Sequence, residues 1–100
     1  MKSKHRTKAH DKRFDALKEM GCICCRIAGS GWVGPDIHHI LDAGRRKSHD
    51  DTIPLCPYHH RGVQSDFGTY VGPSLADGKK PFEAYWGKQT DLLKEVNKLL

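Results

Sequence analysis

Apolar residues at positions 14, 17 and 20, set among charged neighbours, form a stripe at helical spacing that predicts a helix from about His10-Asp11 to Met20, ended by Gly21. That helix delivers Cys22. Gly29-Ser30-Gly31 and Gly34-Pro35 break the next stretch, after which Asp36 to Leu41 reads as a short strand. Asp42 to Asp51 is polar, holds Gly44 and the triplet Arg45-Arg46-Lys47, and predicts a loop. Thr52-Ile53-Pro54-Leu55 is extended, with Pro54 confining it to an edge or end of a sheet. Pro57 suits the first position of a short helix, where its missing N–H is harmless, and that helix carries His59 and His60. Residues 62–81, rich in glycine and proline, read as a long irregular connection. A helical turn from Pro81 with Phe82, Tyr85 and Trp86 leads to Gly87. A final helix capped by Thr90 then sets Leu92, Leu93, Val96, Leu99 and Leu100 on one side. That stripe and the three aromatics read as core, because so short a domain needs the buried area. Trp32 has no evident place in this pattern.

A chain of 100 residues is one domain, small enough for a metal to be part of its stability. No apolar run approaches the roughly 20 residues of a membrane span, and the first residues lack the apolar core of a signal peptide. The expected compartment is a reducing cytosol, where four cysteines are metal ligands or free thiols rather than disulfides. Cys22 and Cys25, then Cys56 and His59, repeat one three-residue spacing and supply the four ligands of a tetrahedral structural zinc. Cys24 is surplus to that set and reads as a small buried thiol.

Of the net charge of +5, all the excess lies in residues 1–13, where Lys2, Lys4, Arg6, Lys8, Lys12 and Arg13 face only Asp11. The segment reads either as a flexible arm that binds nucleic-acid phosphates by counterion release or as a solvated terminus. Residues 14–100 form the folded domain and are balanced in charge. Any basic face there depends on arrangement, with Arg45, Arg46, Lys47 and Arg61 as candidates for phosphate contact.

Strand, loop, strand and short helix, with histidines at the end of the first strand (His38-His39) and on the helix (His60), resemble the ββα-metal (His-Me finger) arrangement of HNH endonucleases. His38-His39 and Asp51-Thr52-Ile53-Pro54-Leu55-Cys56-Pro57-Tyr58-His59-His60 resemble that superfamily's Asn-Leu-x-x-Leu-Cys-x-x-Cys-His signature, with Asp51 for Asn and His59 for the second Cys. A closer resemblance, over about Gly21 to Leu100, is to the phage RecA-dependent nuclease (recombination enhancement, Ref-like) family. It rests on Gly-Cys-x-x-Cys-Arg, Ile-His-His-Ile, Ser-His-x-x-Thr-Ile-Pro-Leu-Cys-Pro-x-His-His and Phe-Glu-Ala-x-x-Gly. The resemblance implies a small zinc-stabilised α+β domain with flanking helices that cuts DNA held by a RecA filament. It implies His39 as the general base that takes a proton from water, oriented by Asp51. His38 and His60 would hold one divalent cation, magnesium or manganese and in a third case zinc, at the leaving 3′ oxygen, giving 5′-phosphate and 3′-hydroxyl ends.

Strand geometry sets a condition on this site, because adjacent side chains of a regular strand face opposite ways and His38 and His39 then share no site. Their joint use predicts an irregular backbone there, as in the colicin DNases. Ala76 stands where relatives are expected to carry a histidine, leaving the cation a ligand short, with Gln64, Asp66 or water to fill the place. His49 is either a loop brace or a site residue. The competing class is a non-catalytic zinc-stabilised DNA-binding or recombination-mediator module. An RNA-binding zinc ribbon is a third, which leaves His38-His39 unexplained.

Overall fold

The computed structural model describes residues 7–42, 45, 46, 48–64 and 70–100. Helix α1 (Lys8–Met20) starts two residues earlier than the expected His10, because Thr7 and His10 form a reciprocal cap. The Thr7 hydroxyl accepts from the His10 amide and the Thr7 amide donates to His10 Nδ1, both at 3.2 Å. Lys8, Lys12 and Arg13 are therefore helical, and Lys2, Lys4 and Arg6 lie outside the described residues. Gly21 ends the helix at φ 80°, and a Cβ there would stand 2.7 Å from the Trp32 ring. Trp32 thus has its place: it covers the end of α1 and donates its indole N–H to the Lys18 carbonyl.

Helix α2 (Ile23–Ala28) leads to strand β1 (Asp36–His39), which pairs antiparallel with β4 (Thr52–Leu55) from Asp36 opposite Leu55 to His39 opposite Thr52. With only two strands both are edges, which is how Pro54 is accommodated. The expected loop between them contains a small ribbon, β2 (Leu41–Asp42) with β3 (Arg45–Arg46). Helix α3 (Pro57–Arg61) starts at its proline as the sequence predicts. The long connection is less irregular than expected, since a 3-10 turn (Leu75–Asp77) capped by Ser74 precedes helix α4 (Lys79–Trp86), which begins ahead of Pro81.

Thr90 does not cap α5 (Gln89–Leu99). Only Gly87 and Lys88 separate the last two helices, so Glu83 of α4 reaches the Gln89 amide at 3.0 Å and serves instead. The apolar stripe of α5 buries Leu92 and Val96, while Leu99 and Leu100 run past the body and are exposed. These meet Phe14, Leu17, Ile23, Ile40, Ile53, Leu55 and Phe82 in one core. Tyr85, expected in that core, is 57% exposed; Phe82 alone of its turn is fully buried.

Arg13 ties the layers together. Its guanidinium donates from Nε to the Thr52 hydroxyl at 2.9 Å, from Nη2 to the Thr52 carbonyl at 2.7 Å and from Nη1 to Asn97 Oδ1 at 2.9 Å. This clamp joins α1 to β4 and α5. The result is a small α+β domain in which a β-hairpin and α3 form a ββα unit, flanked by an entry helix and two closing helices.

A cysteine-histidine metal centre and two histidine pairs

Cys22 and Cys56 each stand at the N-cap of a short helix, and their sulfurs accept the amides of Cys25 and His59, both at 3.4 Å. One helical turn later the second ligand of each pair returns to the same side, which is why a three-residue spacing works twice. All four ligating atoms lie within 4.8 Å of one another and all four residues are buried. His59 Nδ1 is 3.5 Å from Cys22 Sγ, 3.5 Å from Cys25 Sγ and 3.2 Å from Cys56 Sγ, and Cys25 and Cys56 are 3.8 Å apart. Tetrahedral zinc, with Zn–S about 2.3 Å and Zn–N about 2.0–2.1 Å, gives edges of about 3.8 Å between sulfurs and about 3.5 Å from sulfur to nitrogen. The residues fit the ion.

The charges of the cluster call for a cation too. The neighbouring Cys24 and Cys56 thiols draw the Cys22 thiol strongly down. Burial and the Cys22 charge then push Cys25 up to about 12, and a hydrogen bond with Cys22 together with burial raises Cys56. A dication relieves this opposition by stabilising all three thiolates. His59 is oriented for the role: its Nε2–H donates to the Val71 carbonyl at 2.8 Å, leaving Nδ1 for the metal. Burial opposes a proton on His59, but Cys22 and the Val71 carbonyl outweigh it. Cys24 lies outside the set, fully buried, its thiol held protonated by its hydrogen bond to Cys22 and by burial.

The remaining histidines separate by strand parity. Through the continuous β1–β4 register the backbone is regular, so His38 and His39 face opposite ways and the expected irregularity is absent. On one face His38 and His60 bring their rings to 5.0 Å. His60 Nδ1 is 3.0 Å from Asp36 Oδ2, which also accepts from Arg61 Nε at 2.8 Å. Burial acts against the Asp36 charge, yet the bonds to His60 and Arg61 prevail and hold its carboxyl below the usual range. His38 Nε2 meets Gln89 Oε1 at 2.7 Å, and burial, aided by His60, lowers the His38 pKa despite that bond.

On the other face His39 Nε2 lies 2.9 Å from His49 Nδ1, with Phe14 edge-on to both rings and His10 beside His49. His10 Nε2 in turn approaches Asp50 at 3.4 Å. His49, the residue that the sequence left open, thus stands against His39, and the backbone of Asp51 brackets it, its carbonyl accepting from the Ile40 amide and its amide donating to the Ser48 carbonyl. Position 76 lies against the end of α3, where the Ala76 methyl is 3.2 Å from where a Cβ on Gly62 would stand. Gln64 is exposed, and Asp66 and Lys47 lie outside the described residues.

Among the candidate phosphate contacts, Lys8, Lys12 and Arg45 are exposed, Arg46 is described by its backbone in β3, and Arg61 is engaged by Asp36. Missed from the sequence were Asp36, Gln89 and a groove of about 250 Å³ lined by Lys79, Lys88, Gln89 and Thr90 with Ile40, Leu41 and Glu83. Gln89 had left a signal, since it sits three residues before Leu92 and seven before Val96 on the buried stripe of α5.

No helix among the described residues is long and apolar enough to cross a membrane. No curated protein matches the chain. The family model for recombination enhancement, RecA-dependent nuclease, matches residues 6–100. With that match over nearly the whole chain and a buried three-cysteine, one-histidine centre bracing a ββα unit, the chain belongs to the recombination-enhancement, RecA-dependent nuclease family, of HNH type.

Proposed function

We propose that the protein is a metal-dependent DNA endonuclease that hydrolyses phosphodiester bonds, acting on DNA held by RecA. The observation that carries this reading is the His38–His60 pair, two imidazoles 5.0 Å apart on a ββα unit whose helix is pinned by the cysteine-histidine centre. Two imidazoles suit manganese or zinc and admit magnesium, with phosphate oxygens and water completing the set. When bound, a divalent ion supplies charge stabilisation at the leaving 3′ oxygen.

The chain's own groups divide the remaining work. His39 accepts the proton of the attacking water, with His49, at 2.9 Å, and Asp51 orienting its ring. Because the regular β1 sends His38 and His39 to opposite faces, one DNA backbone meets both only where it crosses the end of the strand, at His39. Exposed Lys79 and Lys88, beside Gln89, extend that track, with Lys8, Lys12 and Arg45 as further phosphate contacts. Ala76 favours a second reading, a DNA-binding module that has lost a ligand.

The test is cleavage of single-stranded circles and supercoiled plasmid with Mg²⁺ or Mn²⁺, with and without RecA and ATP, by the wild type, His39→Ala and His60→Ala. Loss of about 10²–10⁴-fold in His39→Ala, with binding retained, supports the nuclease. Folded, zinc-loaded wild-type protein that cuts in no arm refutes it in favour of the binding module.

A further inference from the structure

We infer that Gln89 and Asp36 are positioning residues that fix the tautomers of the two site histidines, so that His38 offers Nδ1 and His60 offers Nε2 to the divalent ion. This rests on the reading of His38 and His60 as the ion's holders. A neutral imidazole carries its proton on either nitrogen, and the hydrogen bond made by one nitrogen decides what the other can do. The Gln89 carbonyl oxygen, 2.7 Å from His38 Nε2, can only accept, so Nε2 carries the hydrogen and the lone pair is on Nδ1. The Asp36 carboxylate likewise only accepts. At 3.0 Å from His60 Nδ1 it draws the hydrogen there and leaves the lone pair on Nε2.

Both acceptors are themselves held. Gln89 is the first residue of α5, 9% exposed, its backbone fixed by the N–H that donates to Glu83 Oε2 at 3.0 Å, and the Asp36 carboxylate is gripped by Arg61. A polar side chain on the core-facing stripe of a helix costs burial free energy unless its polar atoms are engaged, and His38 engages this one. The same molecule uses the same device at its cysteine-histidine centre, where the Val71 carbonyl holds His59 Nε2–H and turns Nδ1 to the metal. The two orienting groups differ in one respect: Asp36 adds negative charge behind His60, whereas the Gln89 amide orients His38 without charge. His60 is therefore the stronger donor of the pair.

Long-range ¹H–¹⁵N correlation spectra of zinc-loaded protein, without a second metal and above about pH 7.5, read the tautomers directly. The wild type is expected to show Nε2–H on His38 and Nδ1–H on His60. Gln89→Leu should scramble His38 alone, and Gln89→Glu should keep its tautomer. Mn²⁺ binding, followed by electron paramagnetic resonance, should weaken about 10–100-fold in Gln89→Leu and in Asp36→Leu and stay near wild type in Gln89→Glu. Zinc content and melting temperature check that each variant is folded. An Nδ1–H tautomer on His38 in the wild type overturns the inference whatever the enzyme does. Loss of Mn²⁺ binding in His60→Ala but none in Gln89→Leu overturns the role of Gln89 alone, whereas equal binding by His60→Ala and wild type overturns the site itself.

Discussion

Replacing Arg13 by methionine keeps an unbranched stem and removes the guanidinium, which separates a structural clamp from a DNA contact. The guanidinium makes two bonds to Thr52, which is fully buried, and one to Asn97 at the surface. Hydrogen bonds to a charged group are worth about 1.5–3 kcal/mol each, and the surface bond adds little. Because Arg13 is itself half-exposed, water recovers part of the loss. The Thr52 hydroxyl also keeps its bond to the His49 carbonyl. The expected destabilisation is therefore about 2–4 kcal/mol, a large share of the roughly 5–15 kcal/mol that stabilises a domain. At about 4–8 °C per kcal/mol for a chain near this size, the melting temperature should fall by about 8–32 °C. Thermal unfolding of zinc-loaded Arg13→Met, beside Lys12→Met at an exposed position of the same helix, measures this. A melting temperature within about 2 °C of wild type, together with a shallower salt dependence of DNA binding, would refute the clamp and return Arg13 to the nucleic-acid surface.

Removing zinc with a chelator under reducing conditions should unfold the domain, since a structural zinc contributes about 10–16 kcal/mol, as much as the whole stability. Far-UV circular dichroism with zinc release followed in parallel checks this, and a cooperative melt that survives at the original temperature would contradict it. His49→Ala should lower cleavage about 10–100-fold with little change in melting temperature, because it leaves His39 in place but unoriented; wild-type rates under single-turnover conditions would make His49 a loop brace only. Lys79→Ala with Lys88→Ala should weaken DNA binding and reduce the slope of log K against log salt by about 0.7–0.9 for each phosphate that the lysines neutralise. An unchanged slope would remove that groove from the DNA path.

The parts of the protein legible in its sequence are those set by neighbours within one or two turns of chain. Cys22 with Cys25, and Cys56 with His59, are each brought together by a single helical turn, so spacing alone announced them. Gly21 as a helix stop, Pro57 as a helix start and the β1–β4–α3 order were legible for the same reason. What only the tertiary structure decided is which chemistry-bearing side chains share a face and what braces them. Gln89 reaches His38 across 51 residues, Arg13 reaches Thr52 across 39, and Asp36 reaches His60 across 24. Such pairings follow from how helices pack on the hairpin, and no local period records them. Strand parity was written in the sequence as a conflict between two adjacent histidines, and the regular β1–β4 register resolved it by sending His38 to Gln89 and His60 and His39 to His49.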